Sequence, residues 1–226
     1  MPFDEETVMS EMFRGTGDRT PLVLTVPGFQ NSGPGHWQTI WEETRGDCSR
    51  VELGLWASPR RNPWVTKLDQ AIRTADAPVI LAAHSLGCLA VAWWAALAGQ
   101  PWGAPVIGAL LVAPPDVDRA DAAQPIGGFG PTPHVSLPFP SILVASRTDP
   151  YTSFQRSCDM AKFWGSGLLD LGDAGHVNTE SGFGRWTDGE RLLDLLADRA
   201  GHAANIPSEA LTQAAGLARG GFGRLA

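Results

Sequence analysis

VILAAHSLGCLAVAWWAALA, residues 79–98, decides how this chain is to be read. Val79 to Ala83 is a short unbroken apolar run, as a strand covered on both faces is. Leu86 to Ala98 is a longer one, apolar on every side, as a centrally buried helix is. Ser85 stands at the joint. A serine there is either the cap of the following helix or a hydroxyl presented on a sharp strand-to-helix turn. The five residues 83–87 do not separate these readings, so the rest of the chain must.

Outward from this segment the same alternation recurs. Leu22–Val26, Cys48–Glu52, Val106–Ala113, Ile142–Ser146 and Leu168–Leu171 read as further strands, mostly continuous apolar runs. Between them, Trp37, Ile40, Trp41 and Thr44 mark one helical face. Val65, Leu68 and Ile72 mark a second, opened by Asn62 as N-cap with Pro63 at the first helical position. Phe154, Cys158 and Ala161 mark another, and Leu192, Leu195 and Leu196 the last. Strand–helix alternation requires right-handed crossovers, hence an α/β fold with a doubly wound, mainly parallel six-stranded sheet.

This reading assigns residues 21–202 to one domain, residues 1–20 to an N-terminal extension and residues 203–226 to a C-terminal one. The latter is either a weak docked helix or a mobile tail. The stretch PPDVDRADAAQPIGGFGPTPHVSLPFP (114–140) is too long and too rich in Pro and Gly for a simple connection, and is a candidate cover for a site.

Composition narrows the function. With 226 residues and 43% hydrophobic content the chain buries a full core. A net charge of −7 without any basic cluster argues against nucleic acid. The acidic N-terminus resembles no secretory signal, and no charge-free run reaches the ~20 residues that span a bilayer. Three cysteines, none in a C-x-x-C pair, suit neither a disulfide framework nor zinc. The expectation is a cytoplasmic protein with reduced thiols, no membrane association, no metal and no cofactor.

Ligands of open parallel sheets bind beyond the carboxyl ends of the strands. The first predicted strand is followed there by Pro27-Gly28-Phe29-Gln30-Asn31-Ser32-Gly33, and the third by His84-Ser85-Leu86-Gly87. The fifth is followed by Arg147-Thr148-Asp149-Pro150, and the sixth by Gly172-Asp173-Ala174-Gly175-His176. Ser, Asp and His thus share one edge in the chain order of α/β-hydrolases. The turn reads Ala-x-Ser-x-Gly in place of Gly-x-Ser-x-Gly, a tolerable departure because the position needs only a small side chain.

In this arrangement Ser85 is the nucleophile, His176 the base that activates it, and Asp149 the group that fixes the imidazole tautomer. The N–H groups of Leu86 and of the Phe29–Gln30 turn, with Phe29 preferred, form the oxyanion hole. The rivals are Asp173 as the acid, and His84 or His134 as the base. His84 is disfavoured because neighbours on a sharp turn point apart. Cys88 is read as core. Gln30, His36, Trp37 and Trp186 are candidate substrate contacts, and Phe129 and Phe139 lie on the covering loop. A phosphate-loop reading of PGFQNSGPGHW fails, because Gly33 is followed by Pro34-Gly35 and not by Lys-Ser/Thr. The dinucleotide pattern fails because Gln38 stands at the third glycine position.

With these residues in place the chain resembles the small serine hydrolase family that includes retinoblastoma-binding protein 9 and YdeN-like proteins. VPGFQNSGPGHWQTIWE (26–42), AHSLGCLAVAWWA (83–95), LPFPSILVASRTDPY (137–151) and DLGDAGHVNTESGFGRW (170–186) carry the resemblance. It implies a minimal α/β-hydrolase fold without a separate lid domain, a Ser85–Asp149–His176 triad, and a histidine loop shaped by Asn178 and Ser181. The Leu-x-Cys-x-Glu motif of the named member is missing, since Leu86-Gly87-Cys88-Leu89-Ala90 ends in alanine, so that interaction is not carried over. The expected activity is hydrolysis of small acyl esters, or small amides as in an aminopeptidase. The alternative is a catalytically weak fold used as a protein-interaction module, and protein partners stay open.

Overall fold

The computed structural model describes residues 20–99, 105–122, 125–199, 208–214 and 216. The proposed N-terminal extension lies outside them, apart from its last residue. Six strands, β1 (Leu22–Val26), β2 (Cys48–Arg50), β3 (Val79–His84), β4 (Val106–Val112), β5 (Ser141–Ala145) and β6 (Gly167–Asp170), form one sheet in the order β2-β1-β3-β4-β5-β6. Every pairing is parallel. The helices are α1 (Trp37–Thr44), α2 (Arg61–Thr74), α3 (Leu86–Leu97), α4 (Phe154–Trp164), α5 (Thr187–Asp198) and α6 (Ser208–Ala214).

Alternate strand residues feed two cores. Leu24, Val26, Leu81, Ala83, Leu111 and Leu143 pack with α2, α3 and α4 through Trp64, Leu68, Leu89 and Trp164. Val23, Ile80, Ala82, Leu110 and Val144 pack with α1, α5 and α6 through Trp37, Trp41, Leu192, Leu196 and Leu211. Helices on both faces explain why the strands read as continuous apolar runs. Of the C-terminal piece, the described residues Ser208–Ala214 form a helix, with Leu211 buried.

The chain winds from β1 outward to β2, then crosses back to β3 and proceeds the other way. Strand order reverses between β1 and β3, so the ends of those two strands open the crevice in which such sheets bind ligands.

Two expectations are corrected. Helix α2 starts at Arg61 with Arg60 as its N-cap, and not at Pro63 behind Asn62. Pro63 is still in the first turn, where a missing N–H leaves no intrahelical bond unmade, and the Asn62 side chain accepts from Arg61 Nε. The long 114–140 loop buries its aromatics. Phe129 and Phe139 are core residues, and a short 3₁₀ turn over Ile126–Phe129 lies against α3. Trp93 Nε1 donates to Phe129 O, Leu137 N to Trp164 O, and Trp164 Nε1 to Pro133 O. Arg156 of α4 pairs with Asp116 and Asp118 and donates to Thr132. The loop is a strap fastened to the α3–α4 face, and apolar filling, not site chemistry, explains its phenylalanines.

Candidate active site

The last residue of β3, His84, is followed by Ser85 at φ 53°, ψ −126°. A non-glycine residue there is strained by about 1–3 kcal/mol, and such strain clusters at functional sites. Ser85 occupies the N-cap position of α3, yet its side chain makes no capping hydrogen bond. Its Oγ instead donates to His176 Nε2 at 3.0 Å. The capping reading is thereby excluded.

The turn is possible because of what surrounds it. A Cβ on Gly87 would lie 2.1 Å from Val26 O and 2.8 Å from Pro27 O, so the first turn of α3 rests directly on the end of β1. A Cβ on Gly28 would lie 2.8 Å from Ser85 Cβ and 3.1 Å from Leu86 N. Ala83, by contrast, is buried in the core, which is why alanine serves at the first small position. Gly87→Ala is expected to destabilise the fold by about 3 kcal/mol or more, since backbone oxygen cannot step aside as a side chain can. A urea midpoint within error of the wild type contradicts this packing.

His176 sits in the loop after β6, buried, and its Nδ1 lies 2.9 Å from Asp149 Oδ2. A carboxylate only accepts, so Nδ1 donates to it and Nε2 is the ring nitrogen turned to Ser85. The second oxygen, Asp149 Oδ1, accepts from the backbone N–H of Tyr151 at 2.9 Å. The histidine loop is tied at several points. Ser181 Oγ accepts from His176 N–H and donates to Asn178 Oδ1, as the resemblance implies for those two residues. Thr148 Oγ1 accepts from Gly175 N–H, and Ser146 Oγ accepts from Ala174 N–H. These hydroxyls couple the Asp149 loop to the His176 loop, a linkage that no sequence spacing announces.

The rivals separate cleanly. Asp173 is exposed at the loop surface. His134 is exposed and stacks on Phe163 with ring centroids 3.7 Å apart. Cys88 is buried, and burial pushes its thiol far up. The His84 ring lies 4.9 Å from that of His176 and its Nε2 is 2.9 Å from His176 O. Since a carbonyl only accepts, His84 Nε2 carries a proton and supports the histidine loop from below.

On the opposite side of Ser85, the loop after β1 supplies N–H groups. The Gln30 N–H is committed to Trp56 O at 2.9 Å and the Asn31 N–H to Gly28 O at 3.1 Å. The N–H of Phe29, next to the Gly28 backbone that touches the elbow, has no such bond among the described residues. Leu86 begins α3, so its own N–H has no carbonyl one turn earlier in the helix. Gln38 fastens the loop, accepting from Ser32 Oγ and donating to Ala82 O.

The candidate substrate contacts divide. Gln30 is exposed in the loop after β1. Trp37 and Trp186 pack edge to face behind the site, and Trp37, wholly buried, donates its Nε1–H to Val177 O. They brace the histidine loop and form no open wall, because filling the α1–α5 core takes precedence over exposure. His36 is likewise buried: it caps α1 by accepting from Gln38 N–H and packs on His84 at 4.7 Å. Among the described residues no group of three or more His, Cys, Asp or Glu side chains is placed to hold a metal ion. None of the described helices is long and apolar enough to cross a membrane.

Burial pulls the His36 pKa from 6.5 down to about 4, with the charges of His176 and Arg50 acting the same way. Burial also holds His84 well below its usual value, helped by His36 and His176. Both rings titrate normally when unfolded, so on acidification the unfolded chain takes up protons that the folded one refuses. Stability is therefore expected to fall as pH drops from 6.5 toward 4, by ~3 kcal/mol for His36 alone. Urea midpoints that stay flat across this window contradict it.

A serine on a strained β3–α3 turn, joined through a histidine to an aspartate from later strand ends of a parallel sheet, defines an α/β-hydrolase. The family model described as serine hydrolase matches residues 23–195, and the chain belongs to that family. A YdeN-like hydrolase from Pectobacterium atrosepticum is 30% identical, with a TM-score of 0.69 over 85% of this chain and 96% of its own. The ydeN gene product of B. subtilis is 21% identical, with a TM-score of 0.64 over 79% of this chain and 100% of its own. Mouse alpha/beta hydrolase domain-containing protein 10, 16% identical with a TM-score of 0.57 over 80% of this chain and 91% of its own, shares the fold. Among functionally curated proteins none matches.

Proposed function

We propose that this serine hydrolase cleaves small carboxylic esters through an acyl-enzyme on Ser85. The observation that carries the reading is the continuous chain Asp149 Oδ2–His176–Ser85 Oγ, with links of 2.9 and 3.0 Å. Ser85 Oγ attacks the acyl carbon while His176 Nε2 takes its proton. The resulting imidazolium is stabilised by the buried Asp149 carboxylate. The negative charge that develops on the carbonyl oxygen is met by the N–H groups of Leu86 and Phe29. The imidazolium then returns its proton to the departing alkoxide. Water, activated by the same imidazole, releases the acid.

The 114–140 strap reaches the site at its start, where Asp116 N–H donates to Tyr151 O and Arg119 to Pro150 O. Among the described residues no separate lid domain is interposed to hold a long chain, which favours small esters over peptides. A panel of p-nitrophenyl acyl esters set against aminoacyl p-nitroanilides tests the preference. The expected result is kcat/KM highest on the short acyl esters, and anilide turnover above ester turnover overturns it.

A further inference from the structure

A large exposed side chain lies against the site and is not used by the reaction as written. Tyr151, the single tyrosine of the chain, lies two residues beyond Asp149 and is 50% exposed. Its ring centroid is 4.5 Å from that of His176, with the planes inclined at 65°. An edge contact of this kind leaves much of the tyrosine ring uncovered. The residue is held firmly by its backbone. Its N–H donates to Asp149 Oδ1, its carbonyl accepts from Asp116 N–H, and Arg119 donates to the carbonyl of Pro150 just before it. The ring position is thus set by main-chain bonds, and the half of the side chain turned away from His176 is exposed.

What it meets follows from the direction of proton transfer. The carbonyl oxygen of a substrate faces the Leu86 and Phe29 N–H groups, on the β1 side of Ser85. The leaving group must face His176 Nε2, which delivers its proton. His84 and Tyr151 both lie against the His176 ring, but His84 is buried whereas Tyr151 is half exposed. Of the two, only Tyr151 can touch the leaving group.

Resting on the ester-hydrolase reading above, we infer that Tyr151 sets leaving-group specificity, and that the alcohol portion of the substrate is an aromatic or similarly flat apolar group lying on its ring. Covering a half-exposed ring removes apolar surface from water and adds an aromatic contact. The backbone bonds that orient Asp149 do not depend on the side chain, so truncation at this position separates substrate contact from positioning of the base.

Two reagents with the same phosphonyl group and different leaving groups test this: an alkyl fluorophosphonate and the corresponding p-nitrophenyl phosphonate. In both, a bond forms between Ser85 Oγ and phosphorus and the serine proton passes to His176. The bond that breaks releases fluoride from the first and p-nitrophenolate from the second. The second-order labelling rates are measured by intact mass for wild type, Tyr151→Ala and Tyr151→Phe. The expected result is that the aryl-to-fluoride rate ratio falls about five-fold in Tyr151→Ala and stays within about two-fold of wild type in Tyr151→Phe. A ratio equal to wild type in Tyr151→Ala, or equal slowing with both reagents, overturns the inference, the latter assigning Tyr151 to positioning. Labelling of wild type by the fluorophosphonate but not by the aryl reagent also overturns it. Failure of both reagents on wild type refutes the activated Ser85 itself, and the inference falls with it.

Discussion

Ser85→Ala is expected to lower ester turnover by about 10⁴–10⁶ in kcat while leaving the fold intact. The size of the loss follows from the division of labour at the site. His176 and the Leu86 and Phe29 N–H groups remain, but no oxygen is left in the position that His176 activates. The residual rate then comes from water attacking a substrate held in the oxyanion hole. The substitution costs little in stability, because the Ser85 side chain caps nothing and its one hydrogen bond goes to His176. Steady-state kinetics on the best p-nitrophenyl ester, with circular dichroism as the folding control, reads the effect. Turnover within about ten-fold of wild type would place the nucleophile elsewhere.

Asp149→Asn is expected to cost about 10⁴ in kcat, through tautomer reversal more than through lost charge. Tyr151 N–H donates to Oδ1 at 2.9 Å, so a substituted amide would turn its oxygen there and its NH₂ toward His176 Nδ1. Nδ1 would then have to accept, the ring proton would move to Nε2, and Ser85 would face a donor where it needs an acceptor. Shape and volume barely change, so the thermal midpoint should move little. Measured kcat with a full pH profile checks this. A loss confined to KM, or one smaller than about ten-fold, would mean that the Asp149 bond does not set the tautomer.

Much of this site is legible in the amino-acid sequence, and the reasons are physical. A strand buried on both faces is a short apolar run, so its end is easy to locate. In a parallel sheet the polar residues just beyond such ends converge on one edge, whatever their separation along the chain. That is how Ser85, Asp149 and His176 come together. Gly87 and Gly28 stand where a Cβ would strike backbone or Ser85.

What is not legible depends on which of two environments an aromatic or polar residue enters. Trp37, Trp186, Phe129 and Phe139 carry no mark distinguishing a pocket wall from a core filler, and all four are fillers. Tyr151 shows the converse. A lone tyrosine after Asp-Pro looks like a turn residue, and only the backbone bonds to Asp149 and Asp116 show that its ring is set against His176. The hydroxyls of Ser146, Thr148 and Ser181 are similarly silent in spacing alone, because side chain to backbone bonds inside irregular loops follow no period. Helix α2 begins two residues early because Pro63 is tolerated anywhere in a first turn.

The measurement that bears most directly on the account is intact-mass analysis after exposure to an alkyl fluorophosphonate, comparing wild type, Ser85→Ala and His176→Ala. One covalent adduct on wild type, none on Ser85→Ala, and strongly slowed labelling of His176→Ala is the expected result. It would identify Ser85 as a hydroxyl activated by the imidazole to which it is hydrogen-bonded. An adduct that persists in Ser85→Ala, or a folded wild type that takes up no reagent, would contradict the assignment of Ser85 as the nucleophile.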